Sequence, residues 1–212
     1  MTLINIENIS KSFKGNPLFE NASASFNKGK IYGIIGQNGS GKSVLFKMIC
    51  GFMRPDSGEI LIDSAYLEKK TGVPRNFGII IDRPGYISGK TGFENLKRLA
   101  DIQQLITNQE IKDAMKRVGL NPEAKQKVKN YSLGMKQKLA LVQAFMENQE
   151  VLILDEPFNA LDSSSVKIVR QLLLDFKREG KTIILTSYNH EDIDLLCDYV
   201  YQIRNYTLEK VK

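Results

Sequence analysis

Eight consecutive residues, Gly36-Gln37-Asn38-Gly39-Ser40-Gly41-Lys42-Ser43, follow the spacing G-x-x-x-x-G-K-[ST] at every position. The residue types suit a polyphosphate. Glycines let the backbone turn so that successive N–H groups converge on phosphate oxygens. Lys42 is placed to reach the β- and γ-phosphates, and the Ser43 hydroxyl to ligate Mg²⁺. A helix opening here adds the partial positive charge of its N-terminus. Gly36, Asn38, Gly39, Ser40, Gly41 and, one step further, Val44 complete the expected nucleotide contacts. The loop says nucleoside triphosphate but is shared by kinases, GTPases and motor ATPases. The guanine-reading Asn-Lys-x-Asp is absent from the sequence, which lowers the GTPase reading.

A second chemical element is Val151-Leu152-Ile153-Leu154-Asp155-Glu156-Pro157, an apolar run ending in two carboxylates. At the C-terminal edge of a parallel sheet such carboxylates face the same crevice as the phosphate loop. Asp155 suits the Mg²⁺ shell through a water. Glu156 is placed to orient or deprotonate an attacking water, a role worth about 10²- to 10⁴-fold in rate.

Positioning these groups requires alternating strands and helices. Strands are expected at Leu3–Ile6, Ile31–Ile35, Glu59–Ile62 and Gly78–Ile81. Val151–Leu154 and Thr182–Thr186 are wholly or largely apolar and read as strands buried on both faces of a parallel sheet. Helices are expected over Val44–Cys50 and Ser163–Arg178, the latter ending near Gly180. Residues 90–149 differ: they are polar, helical and strand-free, with a capping box at Thr107-Asn108-Gln109-Glu110 and punctuation at Gly119 and Pro122. The pattern is an α/β core (about 1–85 and 150–212) interrupted by a helical insert (about 86–149), together one domain.

Composition bounds the rest. The chain has 212 residues, 42% hydrophobic and 25% charged, which are ordinary globular values. Its longest uncharged stretch, Ile31–Gly41, contains four glycines and is too short to span a bilayer. The N-terminus lacks a basic head and apolar run, so no secretory signal is expected. Cys50 and Cys197 read as reduced core thiols. The net charge is +6, and Lys112 to Lys138 carries eight basic residues against two acidic ones. That window is either a solvated helix face or a patch for nucleic acid, an anionic membrane or phosphate.

Between the two phosphate elements lies Tyr131-Ser132-Leu133-Gly134-Met135-Lys136-Gln137-Lys138. Here the sequence resembles the ABC (ATP-binding cassette) ATPases, whose signature reads Leu-Ser-Gly-Gly-Gln or a close variant. Ser132 and Gly134 match. Leu133 and Met135 depart, and Ser-Leu-Gly-Met-Lys-Gln looks like the form found in exporters of the bacitracin and lantibiotic resistance branch. The resemblance implies a RecA-like P-loop NTPase core with an antiparallel β N-terminal portion and an inserted α-helical subdomain. It implies that Phe13 stacks on adenine, although by itself Phe13 reads as a core aromatic. Asn159-Ala160-Leu161-Asp162 resembles the loop that couples the two sites of a cassette dimer. Asp162 is otherwise an ordinary helix N-terminal residue. Two cassettes would pack head to tail, with Ser132 and the backbone at Gly134 touching the γ-phosphate in trans.

Two positions depart from the family pattern. Aligning Gly78-Ile79-Ile80-Ile81-Asp82-Arg83-Pro84 puts Asp82 where the family has a Gln near Mg²⁺ or the attacking water. An Asp can ligate Mg²⁺, but a unit charge about 4 Å from an unneutralised γ-phosphate costs about 4 kcal/mol at an effective dielectric of about 20. Asp82 should therefore act only with the metal present, or sit withdrawn, for example paired with Arg83. Aligning on Leu196-Cys197-Asp198 puts Tyr188 where the family has a His on the γ-phosphate. A Tyr hydroxyl can donate to phosphate but carries no positive charge. His190, the single histidine, is either a substitute or a solvent-facing loop residue.

The resemblance implies an ATP- and Mg²⁺-dependent ATPase, cytoplasmic and peripheral on the inner membrane face, powering a separate transmembrane permease and pairing with a second cassette. No nucleic acid is expected. Two other classes remain open: a soluble ABC ATPase acting on nucleic acid or ribosomes, and a regulatory cassette that binds ATP with little hydrolysis.

Overall fold

The computed structural model describes residues 1–82 and 85–212. Arg83 and Pro84, and with them the expected Asp82–Arg83 pairing, lie outside the described residues.

The N-terminal portion is a three-stranded antiparallel sheet in the order β2-β1-β4, from β1 (Thr2–Phe13), β2 (Asn16–Asn27) and β4 (Ser57–Ile62). β1 and β2 form a hairpin across Lys14-Gly15, both at positive φ, which matches the twist of a two-residue turn. β1 runs well beyond Leu3–Ile6, and β2 is a strand that the sequence reading did not include. Phe19, Ala22, Ala24 and Phe26 of β2 are buried. From Ala22 on, the buried residues alternate with exposed ones, so the strand has a core face although Asn, Ala and Ser are poor strand formers.

The central sheet has six strands in the order β5-β6-β7-β3-β8-β9. They are β3 (Ile31–Ile35), β5 (Phe77–Ile80), β6 (Val151–Leu154), β7 (Thr182–Leu185), β8 (Tyr199–Arg204) and β9 (Thr207–Lys210). The first five strands run parallel, and β9 returns antiparallel to β8. β6 and β7 are buried along their whole length, as expected for strands covered on both faces. Val151 and Ile153 pack with the N-terminal sheet and α1 (Lys42–Ile49), while Leu152 and Leu154 pack with α5 (Ser163–Arg178) and α6 (His190–Leu196). The domain is thus a layered α/β core. Cys50 and Cys197 are buried within it, and burial pushes both thiols up to about 12.

Between β5 and β6 the chain forms α2 (Gly92–Gln103), α3 (Asn108–Arg117) and α4 (Leu133–Phe145). The capping box at Thr107/Glu110 opens α3, and a second, Thr91/Glu94, opens α2. Leu139 and Val142 of α4 are fully buried in the same apolar cluster as Leu96, Ile111 and Leu152, so one core ties the insert to the sheet. Among the described residues no helix is long and apolar enough to cross a membrane.

Candidate active site

The phosphate loop joins β3 to α1, as the spacing predicts. Gly41 is the N-cap of α1 at φ 105, and a Cβ there would lie 2.9 Å from the Phe19 ring of β2. Only glycine fits both the conformation and the space. No side chain caps the helix, so its first amides stay available to a ligand. Lys42 is nearly buried, and its Nζ donates to the Gly36 carbonyl at 2.8 Å and the Gln37 carbonyl at 3.2 Å. Its charge is thereby held across the loop. Ser40 Oγ is buried with no partner among the described residues, which marks a polar atom suited to a ligand.

Ser43 Oγ donates to Asp155 Oδ2, so the loop and the end of β6 meet. Asp155 Oδ1 accepts from Thr186 Oγ1 at 2.8 Å, and the same Thr186 oxygen accepts the Glu156 N–H at 2.8 Å. One fully buried hydroxyl at the end of β7 therefore holds both carboxylate residues. A hydroxyl and a carboxylate side by side are a hard oxygen pair that fits Mg²⁺. The donor-rich loop with its lysine fits the phosphates.

Glu156 stands at φ 51, in the left-handed region. Its Oε2 accepts the Tyr188 N–H at 3.2 Å, while Oε1 is buried without a partner among the described residues. Burial pushes its carboxyl above the ordinary carboxylate range, and the Tyr188 amide draws it part of the way back. An acceptor oxygen left open on a group with raised basicity is suited to taking a proton from water.

The other expected residues are distributed around this centre. Tyr188 is exposed, and Lys42 Nζ lies 5.4 Å from its ring centroid, a cation–π arrangement. His190 is exposed at the first position of α6. Asp82, just after β5, is at φ 59 and pairs with Lys47 Nζ of α1 at 2.7 Å. It lines a cleft of about 710 Å³ with Asp155, Glu156, Lys129, Lys136 and Gln137. Ser132 caps α4, accepting the Met135 N–H at 3.1 Å. Gly134 packs against the backbone of Ala160, whose carbonyl would be 2.7 Å from a Cβ at 134. Phe13 ends β1 and is 44% exposed, outside the core.

Comparison with known proteins is decisive for the family. The family model described as "ABC transporter" matches residues 19–159, more than half of the chain. The chain belongs to the ABC transporter family. A Bacillus subtilis relative, the uncharacterized ABC transporter ATP-binding protein YybJ, is 39% identical over 98% of this chain and 95% of its own length. The bacitracin transport ATP-binding protein BcrA of Enterococcus faecalis is 34% identical over 93% of this chain, which spans 65% of that protein. A solved ATP-binding subunit of an ABC transporter shares 26% identity with a TM-score of 0.83, over 99% of this chain and 89% of its own.

The chain is thus an ABC ATPase of mixed α/β, P-loop type, and relatives in its family bind ATP. Asp162 caps α5, and bonds from the Ser164 hydroxyl and the Ser165 amide hold its carboxyl down to about 2. Its helix N-terminal reading is therefore sufficient to explain it. In the basic window, Lys112, Lys116, Arg117 and Lys127 are engaged with Glu123, Asp113, Glu179 and Glu94. Half of that window is a charge-paired helix surface, and Lys129 and Lys136 face the cleft. Thr186 and Gln137 of this ABC ATPase were not singled out from sequence. Each is close to the site only because distant segments meet.

Proposed function

We propose that this chain is the ATP-hydrolysing subunit of an exporter-type ABC transporter, with residues from about 86 to 149 as the element that meets a separate transmembrane permease. The observation that carries the reading is the convergence of Lys42, Ser43–Asp155 and Glu156 in one crevice beside the cleft under α4. The bacitracin transport relative supports transport over nucleic-acid work.

In this reading the phosphate loop and Lys42 hold the triphosphate, and Phe13 offers its face to the base. Mg²⁺, when bound, would sit on Ser43 and Asp155 and supply charge neutralisation at the phosphates. Glu156 takes a proton from the attacking water on Oε1, the oxygen with no protein partner. Tyr188 contributes a neutral hydroxyl where a positive charge would stabilise the transition state better. Ser132 and Gly134 contact the nucleotide of a second cassette across a head-to-tail dimer. ATP then holds the pair together and hydrolysis releases it, driving the permease between two states. The subunit is peripheral to the cytoplasmic membrane face through that permease.

The test is ATP-dependent dimerisation of Glu156→Gln by size-exclusion chromatography, with ATP turnover of the parent chain. A stable ATP-bound dimer and lost turnover are expected. A monomer at saturating ATP would refute the head-to-tail reading.

A further inference from the structure

We infer that Gln137 is a positioning residue for Glu156, making the seating of the helical insert a condition for water activation. This rests on the reading of Glu156 as the general base. Gln137 lies near the start of α4, in the insert. Its Nε2 donates to the Glu156 carbonyl at 3.2 Å and to the Pro157 carbonyl at 3.1 Å. An amide NH₂ has two donors, and here both are used on consecutive peptides.

Those peptides carry the strained point of the site. Glu156 is a non-glycine residue at φ 51, a conformation that persists only when its surroundings over-determine it. On one side the Thr186 hydroxyl accepts the Glu156 N–H, and on the other Gln137 holds its carbonyl. The carboxylate itself accepts the Tyr188 N–H on Oε2, and its other oxygen has no partner among the described residues. Its aim is consequently set by its backbone more than by its own contacts.

The first turns of α4 are in turn held from two directions. Gly134 lies against the Ala160 carbonyl, where a Cβ would be 2.7 Å away. The Tyr86 hydroxyl donates to the Lys136 carbonyl at 2.8 Å. Tyr86 sits in the segment that leads from Asp82 into the insert. A displacement of Tyr86 or of α4 therefore reaches Glu156 through Gln137, while the Ser43–Asp155–Thr186 contacts all belong to the core.

The test compares Gln137→Met, of similar length without donors, and Gln137→Glu with Glu156→Gln, in the full chain. The Met variant should lose about 10- to 100-fold in kcat with KM for ATP, nucleotide affinity and Tm unchanged. The Glu variant should lose more at neutral pH, since a carboxylate faces two carbonyls. Its rate relative to the parent should recover as pH falls through the carboxyl range and an O–H donor returns. Adding Gln137→Met to Glu156→Gln should cost nothing further. A parental kcat in Gln137→Met, or a loss confined to KM, overturns the inference. Retained turnover in Glu156→Gln overturns the base assignment instead.

Discussion

The ammonium of Lys42 and the ring of Tyr188 face each other, with Nζ 5.4 Å from the ring centroid. The lysine belongs to the phosphate loop and the tyrosine to the turn before α6. Where a histidine would bring a second positive charge to the γ-phosphate, this chain brings a π-face to the charge already there. Slow turnover of the isolated chain is expected, with Tyr188→His faster in steady-state phosphate release. Fast parental turnover that Tyr188→His leaves unchanged would sink this expectation.

Acid should silence the enzyme early. Burial raises the Glu156 carboxyl above the ordinary carboxylate range, and the base must be ionised to act. Turnover is expected to fall with decreasing pH around a midpoint above that of a solvated glutamate. Stability runs the other way. A carboxyl raised in the folded state binds its proton more tightly there than in the unfolded chain, so its contribution is lost as pH rises through the folded value. Glu156→Gln should therefore raise Tm at pH 8, and the gain should vanish below pH 4. Equal Tm shifts at both pH values would contradict it.

Removing the Ser43 hydroxyl or the Asp155 charge should uncouple nucleotide binding from Mg²⁺. For Ser43→Ala and Asp155→Asn, ATP affinity measured with a fluorescent analogue is expected to be the same in EDTA as in Mg²⁺. The parent should bind more tightly with the metal. A preserved Mg²⁺ effect in both variants would place the ion elsewhere.

The Asp82–Lys47 pair is partly exposed at both ends, and pairs of that kind are worth about 0–1 kcal/mol. Lys47→Met should leave Tm nearly unchanged while releasing Asp82 toward the cleft. Asp82→Gln is expected to raise turnover by restoring a neutral side chain beside the phosphates. Turnover that falls in Asp82→Gln would instead assign Asp82 a direct role.

Phe13 is exposed at the end of the β1–β2 hairpin. Phe13→Ala should weaken ATP binding by about 1–3 kcal/mol, the range of base–aromatic stacking, and Phe13→Tyr should preserve it. Equal affinity in the Ala variant would leave adenine without this contact.

The loop and the Asp155-Glu156 pair were legible because each is a contiguous run whose chemistry is carried by residue type. The buried strands β6 and β7 were legible because three or four apolar residues in a row have few other places to go. β2 was not, since its alternation is built from Ala and Ser, which signal neither face strongly. Asp82 pairs with Lys47 on α1, 35 positions away in sequence, a partner no local pattern indicates. Thr186 reaches Asp155 across 31 positions and Gln137 reaches Glu156 across 19. Such pairings are fixed by strand order and helix docking, which no local pattern encodes. The basic window reads in sequence as either a solvated helix face or a binding patch, and its partners Glu94 and Glu179, which come from outside it, are fixed only by the fold.

The Thr186 hydroxyl has one hydrogen, and Asp155 takes it, while its lone pair serves the Glu156 amide. It works as a spacer of fixed length between the Asp155 carboxylate and the Glu156 backbone. Asp155 is anchored wholly within the α/β core, by Ser43 and Thr186, and Glu156 is also tethered to the insert by Gln137. On the proposed reading, loading and firing have separate mechanical supports, so a cassette whose insert is displaced should stay charged without discharging.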